Sequence, residues 1–476
     1  MIIDRNIINP DIDYEGRYNR EHIGVWINRW KHLLIDRGAK KGDTVALAIM
    51  SINLHHIACI FAVAELGLRL FLFSKPLCKE TISATKMALF GPMDFTIIEE
   101  FMWEEPNHEE MFTKYGGKLI FQQEIHNCKT ATDIQPWEVY PHNDFLFAST
   151  SGSTTGDPKP VIVSHKDFLE TAKRNAEVFD FRKESVHLHS INMHHASAMI
   201  SSLIPALMTS DKHYFGMLTE RNIPGVKTFH PVSYTKYIIE KKITNCIIAW
   251  PASVDLLINI LKLHDRPEQK LLPEDWKDTM QTLRIQVCGF TVPESFYNYA
   301  KELSVEFWSH YGAVDVCWGG PVILNVVDKN AEYSPQYIGK QCDDFFVPEI
   351  TEDGVFVTSH LWAGRKKLGD VLDKVDDRYY HRGRADISER TLKWNDEIEF
   401  LLKEQHGDFT ALYFNKKQSA LVLWDADKHY NFDAITAPIH KMVKHIVYLK
   451  KQDFVVDTKI DITQLKAYLE HHYGEV

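Results

Sequence analysis

Apolar positions along this chain switch between two spacings, and the switches mark out its elements. Ile23, Trp26, Ile27, Trp30, Leu33 and Leu34 recur three and four residues apart, which predicts an amphipathic helix over residues 22–37, closed by Gly38. The run Thr44-Val45-Ala46-Leu47-Ala48-Ile49 carries no charge and predicts a strand buried on both faces. Residues 54–66 predict the next helix and residues 68–73 the next strand. Farther on, two short apolar runs, 145–148 and 161–163, flank a polar stretch. Residues 283–290 predict a buried strand running into Gly289, and residues 462–471 a terminal amphipathic helix. Helix and strand signals alternate without an internal repeat or low-complexity linker, which argues for α/β layers.

Composition narrows this picture. A chain of 476 residues exceeds one ordinary core, so two or three domains are expected. The net charge of −11 excludes the basic excess that gives general affinity for nucleic acid, although 24 histidines would change that balance below about pH 6.5. The seven cysteines are scattered, odd in number and without a Cys-x-x-Cys, which fits reduced thiols in a cytoplasmic protein. Met1-Ile2-Ile3-Asp4-Arg5 lacks the apolar centre of a signal peptide. The most apolar segment, residues 57–73, is broken by Glu65 and Arg69 and is too short and too charged to span a bilayer.

The polar stretch between the two short runs carries the strongest chemical signal. It reads Thr150, Ser151, Gly152, Ser153, Thr154, Thr155, Gly156, Asp157, Pro158, Lys159. Small residues let a tight loop bring backbone N–H groups close to an anion; hydroxyls add donors and Lys159 adds a full charge. Such a loop suits phosphate, although the same composition also suits a solvated turn. It is not a Walker loop, because no Gly-Lys-Ser/Thr occurs and the lysine follows Pro158.

The stretch resembles the phosphate loop of the adenylate-forming superfamily, which includes acyl-CoA synthetases, peptide-synthetase adenylation domains and firefly luciferase. It departs from that loop by one extra residue before Gly156 and by Pro160, where a glycine is common. Further resemblances follow in order. Lys41-Gly42-Asp43 and Glu65-Leu66-Gly67 sit as in the family's first subdomain. Residues 189–210 look like the strand–turn–helix of the acyl pocket, with His195 at a pocket-lining position. His187, His189, His194 and His195 also admit a metal reading, but no carboxylate or thiol completes the set at a familiar spacing. The strand ending at Gly289 and Phe290 leads, in the family, to the adenine pocket. Tyr311-Gly312-Ala313-Val314-Asp315 is similar to the family's Tyr-Gly-x-Thr-Glu, whose tyrosine packs on adenine, whose glycine permits close approach and whose carboxylate helps hold Mg²⁺. Val314 and Asp315 replace the threonine and glutamate, and the shorter acid still offers an oxygen ligand suited to Mg²⁺. Asp370, after Gly369, matches the ribose-binding aspartate, able to accept two hydrogen bonds from a diol, and Arg384 can donate to the same sugar or to phosphate. Asp386 matches the family's hinge. Asp457-Thr458-Lys459-Ile460-Asp461 is similar to the terminal motif bearing the catalytic lysine, with Thr458 in place of glycine.

The resemblance implies a large N-terminal adenylation domain, residues 1–385, of layered α/β subdomains plus a small β-barrel-like part. It also implies a small mobile α+β C-terminal domain, residues 386–476, carrying Lys459. The implied activity is ATP- and Mg²⁺-dependent conversion of a carboxylic acid to an acyl-adenylate, with the loop 150–159 on the leaving pyrophosphate. Acyl transfer to CoA or an acyl-carrier thiol follows. Transfer to an amine or hydroxyl, or a non-catalytic nucleotide-binding descendant, are the alternatives; Lys159, Asp315, Asp370, Arg384 and Lys459 are all present, against the last. Residues 191–197 lack the aspartate by which peptide-synthetase domains bind an α-amine, which leaves fatty, aryl and small acids open. Residues 386–397 are shorter than the usual post-hinge loop and have no glycine, so free CoA is expected to be a poor acceptor.

Overall fold

A computed structural model describes residues 2–48, 53–72, 89–99, 108–128, 133–149, 159–190, 196–218, 228–248, 254–255, 257–260, 272–273, 276–289, 291–384, 409–413, 419–424, 445–453, 455–456, 459–460 and 462–473. The first long helix, Arg20–Asp36, begins two residues before its predicted start at residue 22 because its cap lies upstream. Asn19 accepts from the His22 backbone N–H, and the His22 ring accepts from the Asn19 N–H. It buries Ile23, Ile27, Trp30, Leu33 and Leu34, the stripe the spacing predicts. The helix packs on Leu54–Glu65, nearly all of which is buried. Glu65 joins the pair: its carboxylate accepts from Lys31 Nζ at 2.7 Å and from Arg5 Nε at 2.9 Å, with the Lys31 and Glu65 side chains fully buried.

Beneath these helices runs a six-stranded sheet in the order Lys118–Phe121, Phe95–Ile98, Thr44–Ala48, Arg69–Leu72, Asp144–Ser149, Pro160–Ser164. Its first five strands are parallel, and the last is antiparallel to its neighbour. Thr44–Ala48 is buried along its length, as expected of a parallel strand covered on both faces.

A ten-stranded sheet forms the second layer. Its parallel half comprises Asp13–Tyr14, Lys212–Phe215, Val186–His189, Asn245–Ile247, Arg284–Cys288 and Glu306–Tyr311. Its antiparallel half continues through Ile323–Val327, Tyr337–Gln341, Arg378–Arg384 and the edge strand Asp370–Val375. Two register shifts interrupt that half, one between Tyr337 and Gly339 and one between Val371 and Leu372. Such bulges bend and twist the strands that carry them. Gly339 is required at the first: its φ is +119°, and a Cβ there would fall 2.1 Å from the Leu324 carbonyl oxygen. A three-stranded antiparallel sheet, Val347–Thr351, Gly354–Thr358 and Arg365–Lys367, packs alongside.

Toward the C-terminus, Phe409–Tyr413, Ser419–Trp424 and His445–Leu449 form a separate sheet. Helix Ile462–Tyr473 sets Leu465 and Leu469 against Ala420, Val422 and Val447 of that sheet. The whole is a mixed α/β fold, as the alternating pattern predicts. Among the described residues no helix is long and apolar enough to cross a membrane.

Candidate nucleotide site

The two apolar runs flanking the phosphate-loop motif become adjacent antiparallel strands, with Ser149 paired to Pro160. These two strands lie at one edge of the six-stranded sheet. Lys159, just ahead of the edge strand, is exposed, while Thr150, Ser151, Gly152, Ser153, Thr154, Thr155 and Gly156 lie outside the described residues, as do His195, Phe290 and Asp386.

Neighbouring parallel strands bring together the two motifs that the resemblance assigns to adenine. Arg284–Cys288 and Glu306–Tyr311 pair with Cys288 opposite His310, so Gly289 and Tyr311 both emerge at the carboxyl end of the sheet. Ligands of open α/β sheets bind along that edge. Gly289 has φ +84°, and nothing lies within 4 Å of where its Cβ would be. Immediately after Tyr311, Val314–Cys317 forms one helical turn with Asp315 in it.

Gly312 is dictated by packing. A Cβ there would lie 2.1 Å from the Gly320 carbonyl oxygen and 2.8 Å from Cys317 Sγ. That turn is held tightly: the Cys317 thiol donates to the Gly320 carbonyl, and Ser201 Oγ donates to the Gly319 carbonyl at 2.9 Å. Ser201 belongs to the π-helical stretch Met199–Leu203, inside the otherwise helical run that ends residues 189–210, the stretch that resembles the acyl pocket. π-Bulges of this kind recur at functional sites. The helical run around Ser201 and the segment after Asp315 thus share one tightly packed contact.

Asp370 reaches Tyr311 from the far edge of the sheet. Four strand steps separate them, ~19 Å on a flat sheet, yet Tyr311 Oη donates to Asp370 Oδ2 at 2.5 Å. The antiparallel half must curl back on itself to allow this. Asp370 is 8% exposed. Arg384 stands directly opposite Asp370 in the strand register. Lys459 lies in a short hairpin, Val455–Val456 with Lys459–Ile460, just ahead of helix Ile462–Tyr473.

Two residues near these motifs escaped the sequence reading. Lys366, on the small three-stranded sheet, sets Nζ 4.1 Å from the Trp362 ring centroid and 5.4 Å from that of Trp318. Burial lowers its pKa, and the charges of Asp167 and Asp315 work against that shift. His381 sets Nε2 3.7 Å from Asp370 Oδ1. Neither carries a motif of its own: Lys366 meets Trp318 from a distant part of the chain, and His381 reaches Asp370 only through the register of the paired strands Asp370–Val375 and Arg378–Arg384.

Among the described residues no group of three or more His, Cys, Asp or Glu could hold a metal ion. Of the histidine set, His194 and His195 lie outside the described residues, while His187 and His189 stack with His213 at 5.6–5.8 Å in the core. A lone carboxylate at Asp315 does suit Mg²⁺ that arrives with phosphates, since Mg²⁺ commonly takes one or two carboxylates and fills its shell with phosphate oxygens and water.

No family model matches the chain. The fold nevertheless has clear counterparts. O-Succinylbenzoate coenzyme A synthetase (MenE) of Bacillus subtilis, in complex with AMP, superposes with a TM-score of 0.74 at 15% identity, covering 98% of this chain and 96% of that one. The McyG A-PCP structure complexed with phenylalanyl-adenylate gives 0.73 at 15% identity, covering 96% and 90%. The chain has the fold of the adenylate-forming superfamily, the one its motifs resemble. In sequence, the long-chain-fatty-acid–CoA ligase FadD13 of Mycobacterium tuberculosis is 19% identical over 325 residues, covering 67% of this chain. That match spans 58% of the ligase's own length.

Proposed function

We propose that this protein activates a carboxylic acid with ATP, releasing pyrophosphate, and passes the acyl group to a thiol. The reading rests above all on one observation. Tyr311 and Asp370, 59 residues apart, meet in a hydrogen bond at the strand end that also leads into Asp315. These are the positions that the resemblance allots to adenine, ribose and metal. Fold counterparts in complex with AMP and with phenylalanyl-adenylate support it, as does the CoA ligase relative.

In the first half-reaction a carboxylate oxygen attacks the α-phosphorus of ATP. The new O–P bond replaces the bond to the β-phosphate, and pyrophosphate leaves. Two anions must meet, so the protein's work is alignment and charge neutralisation. Asp370 and Arg384 orient the ribose, Tyr311 and Gly289 frame the adenine, and residues 150–159 receive the departing phosphates. Lys459 supplies a positive charge between the acid and the α-phosphate. Asp315 would help hold Mg²⁺, which would supply neutralisation of phosphate charge. In the second half-reaction a thiol attacks the acyl carbon and AMP leaves. Movement of residues 386–476 about Asp386 withdraws Lys459 between the two steps. The short, glycine-free stretch 386–397 favours a carrier-borne thiol over free CoA.

The test is pyrophosphate release from a panel of fatty, aryl and small acids with ATP and Mg²⁺, alone and then with CoA or a pantetheinylated carrier. Acid-dependent release, and ATP binding weakened by about 1–3 kcal/mol in Asp370→Ala, are the expected results. ATP binding without pyrophosphate release from any acid would favour a non-catalytic nucleotide-binding protein.

A further inference from the structure

We propose that Tyr311 and His381 are positioning residues that clamp the Asp370 carboxylate from its two sides and so tune how it meets the nucleotide ribose. This rests on the reading of Asp370 as the ribose carboxylate. The first arm is the Tyr311 hydroxyl, 2.5 Å from Oδ2. A short O–H···O⁻ bond of this kind restrains rotation of the carboxylate plane. The second arm is the His381 imidazole, 3.7 Å from Oδ1, with its ring 6.2 Å from that of Tyr311.

A bulge aims His381 there. Along the paired strands Asp370 faces Arg384 and Val371 faces Gly383, but Leu372 faces His381. Arg382 is the extra residue. Cross-strand partners share a face, and side chains alternate along a strand. Asp370 and Leu372 therefore point the same way, and the bulge delivers His381 to that face. In unbroken register Leu372 would instead pair with Arg382, and His381 would turn to the other side. Arg382 is directed away, to Asp373 Oδ2 at 2.7 Å and to Gln336. Bulges beside functional sites commonly re-aim one side chain in this manner. The clamp thus joins a strand end, an edge strand and a bulged strand on one carboxylate, which can then offer the ribose diol a fixed acceptor.

The experiment is calorimetric titration of the full chain with ATP and with 2′,3′-dideoxy-ATP. The variants are Tyr311→Phe, His381→Phe, His381→Gln, Asp370→Ala and each clamp substitution combined with Asp370→Ala. For ATP, Tyr311→Phe should weaken binding roughly tenfold and His381→Phe roughly threefold, with His381→Gln restoring most of the latter. Both losses should vanish with the dideoxy nucleotide and in the Asp370→Ala background, because both residues act through that carboxylate. Equal losses for the two nucleotides, or additive losses on top of Asp370→Ala, would overturn the clamp and make Tyr311 and His381 plain supports of the adenine pocket. ATP binding that depends on Asp370 but on neither partner would sink the clamp alone. A wild-type chain that binds no ATP, or Asp370→Ala with full affinity, would remove the nucleotide reading and the clamp with it.

Discussion

Gly312→Ala and Gly24→Ala are the same change in chemistry, and the structure assigns them opposite signs. At Gly312 the added methyl would sit 2.1 Å from the Gly320 carbonyl oxygen and 2.8 Å from Cys317 Sγ. Ordinary carbon–oxygen contact needs more than a further ångström, and the oxygen belongs to backbone. The Gly320 N–H already donates to the Cys317 carbonyl at 2.9 Å, its own carbonyl accepts from the Cys317 thiol at 3.0 Å, and Ser201 pins the preceding carbonyl. With so little slack, overpacking should destabilise by about 1–3 kcal/mol, lowering the melting midpoint by ~2–6 °C. The forced shift would also move Tyr311 relative to Asp370 and weaken ATP binding. At Gly24, inside Arg20–Asp36, the new methyl would meet only Arg5 Nη1 at 3.7 Å, an ordinary contact. There alanine removes glycine's helix penalty and should stabilise by about 0.5–1 kcal/mol. Thermal melts of both variants beside wild type, with ATP titration of Gly312→Ala, make the comparison. A Gly312→Ala protein melting within 1 °C of wild type would show that the 312–320 turn can give way, and the reasoning would fail.

Three further outcomes are expected. Lys459→Ala should abolish most pyrophosphate exchange while leaving melting and ATP affinity close to wild type, because its charge is needed where two anions meet; exchange at the normal rate would refute its role. Glu65→Gln should destabilise by about 3–5 kcal/mol, since it strips the fully buried Lys31 of its counter-charge, whereas the double change Glu65→Leu with Lys31→Met should recover most of that in denaturant titrations; an equally unstable double variant would contradict the argument. Burial lowers the pKa of His187 and His189 well below the usual value and takes His213 from 6.5 to about 4. The unfolded chain therefore takes up protons that the folded chain refuses, and stability should be level above pH 6.5 and fall as pH drops toward 4, by about 2 kcal/mol at pH 5 for His213 alone. Urea midpoints at pH 7 and pH 5 for wild type and His213→Phe should show that slope and its reduction.

Much of the architecture was legible in the residue pattern because it is local. The stripe from Ile23 to Leu34, the uninterrupted run at Thr44–Ala48 and the strand before Gly289 each carry their own periodicity, and each appears within a residue or two of its predicted bounds. The shift at the first helix came from the Asn19 cap, a feature that hydrophobic spacing does not register. Motif order was equally plain, since it needs only neighbours along the chain. What no spacing could supply is the meeting of Tyr311 with Asp370, or the choice of His381 over Arg382 as its companion. Those follow from two bulges and from the curl of an antiparallel sheet, which depend on how distant strands settle against one another. Gly312 shows the same division. Its presence beside Tyr311 is a sequence fact, but only the folded turn reveals that the Gly320 carbonyl occupies the space where a side chain would have to go.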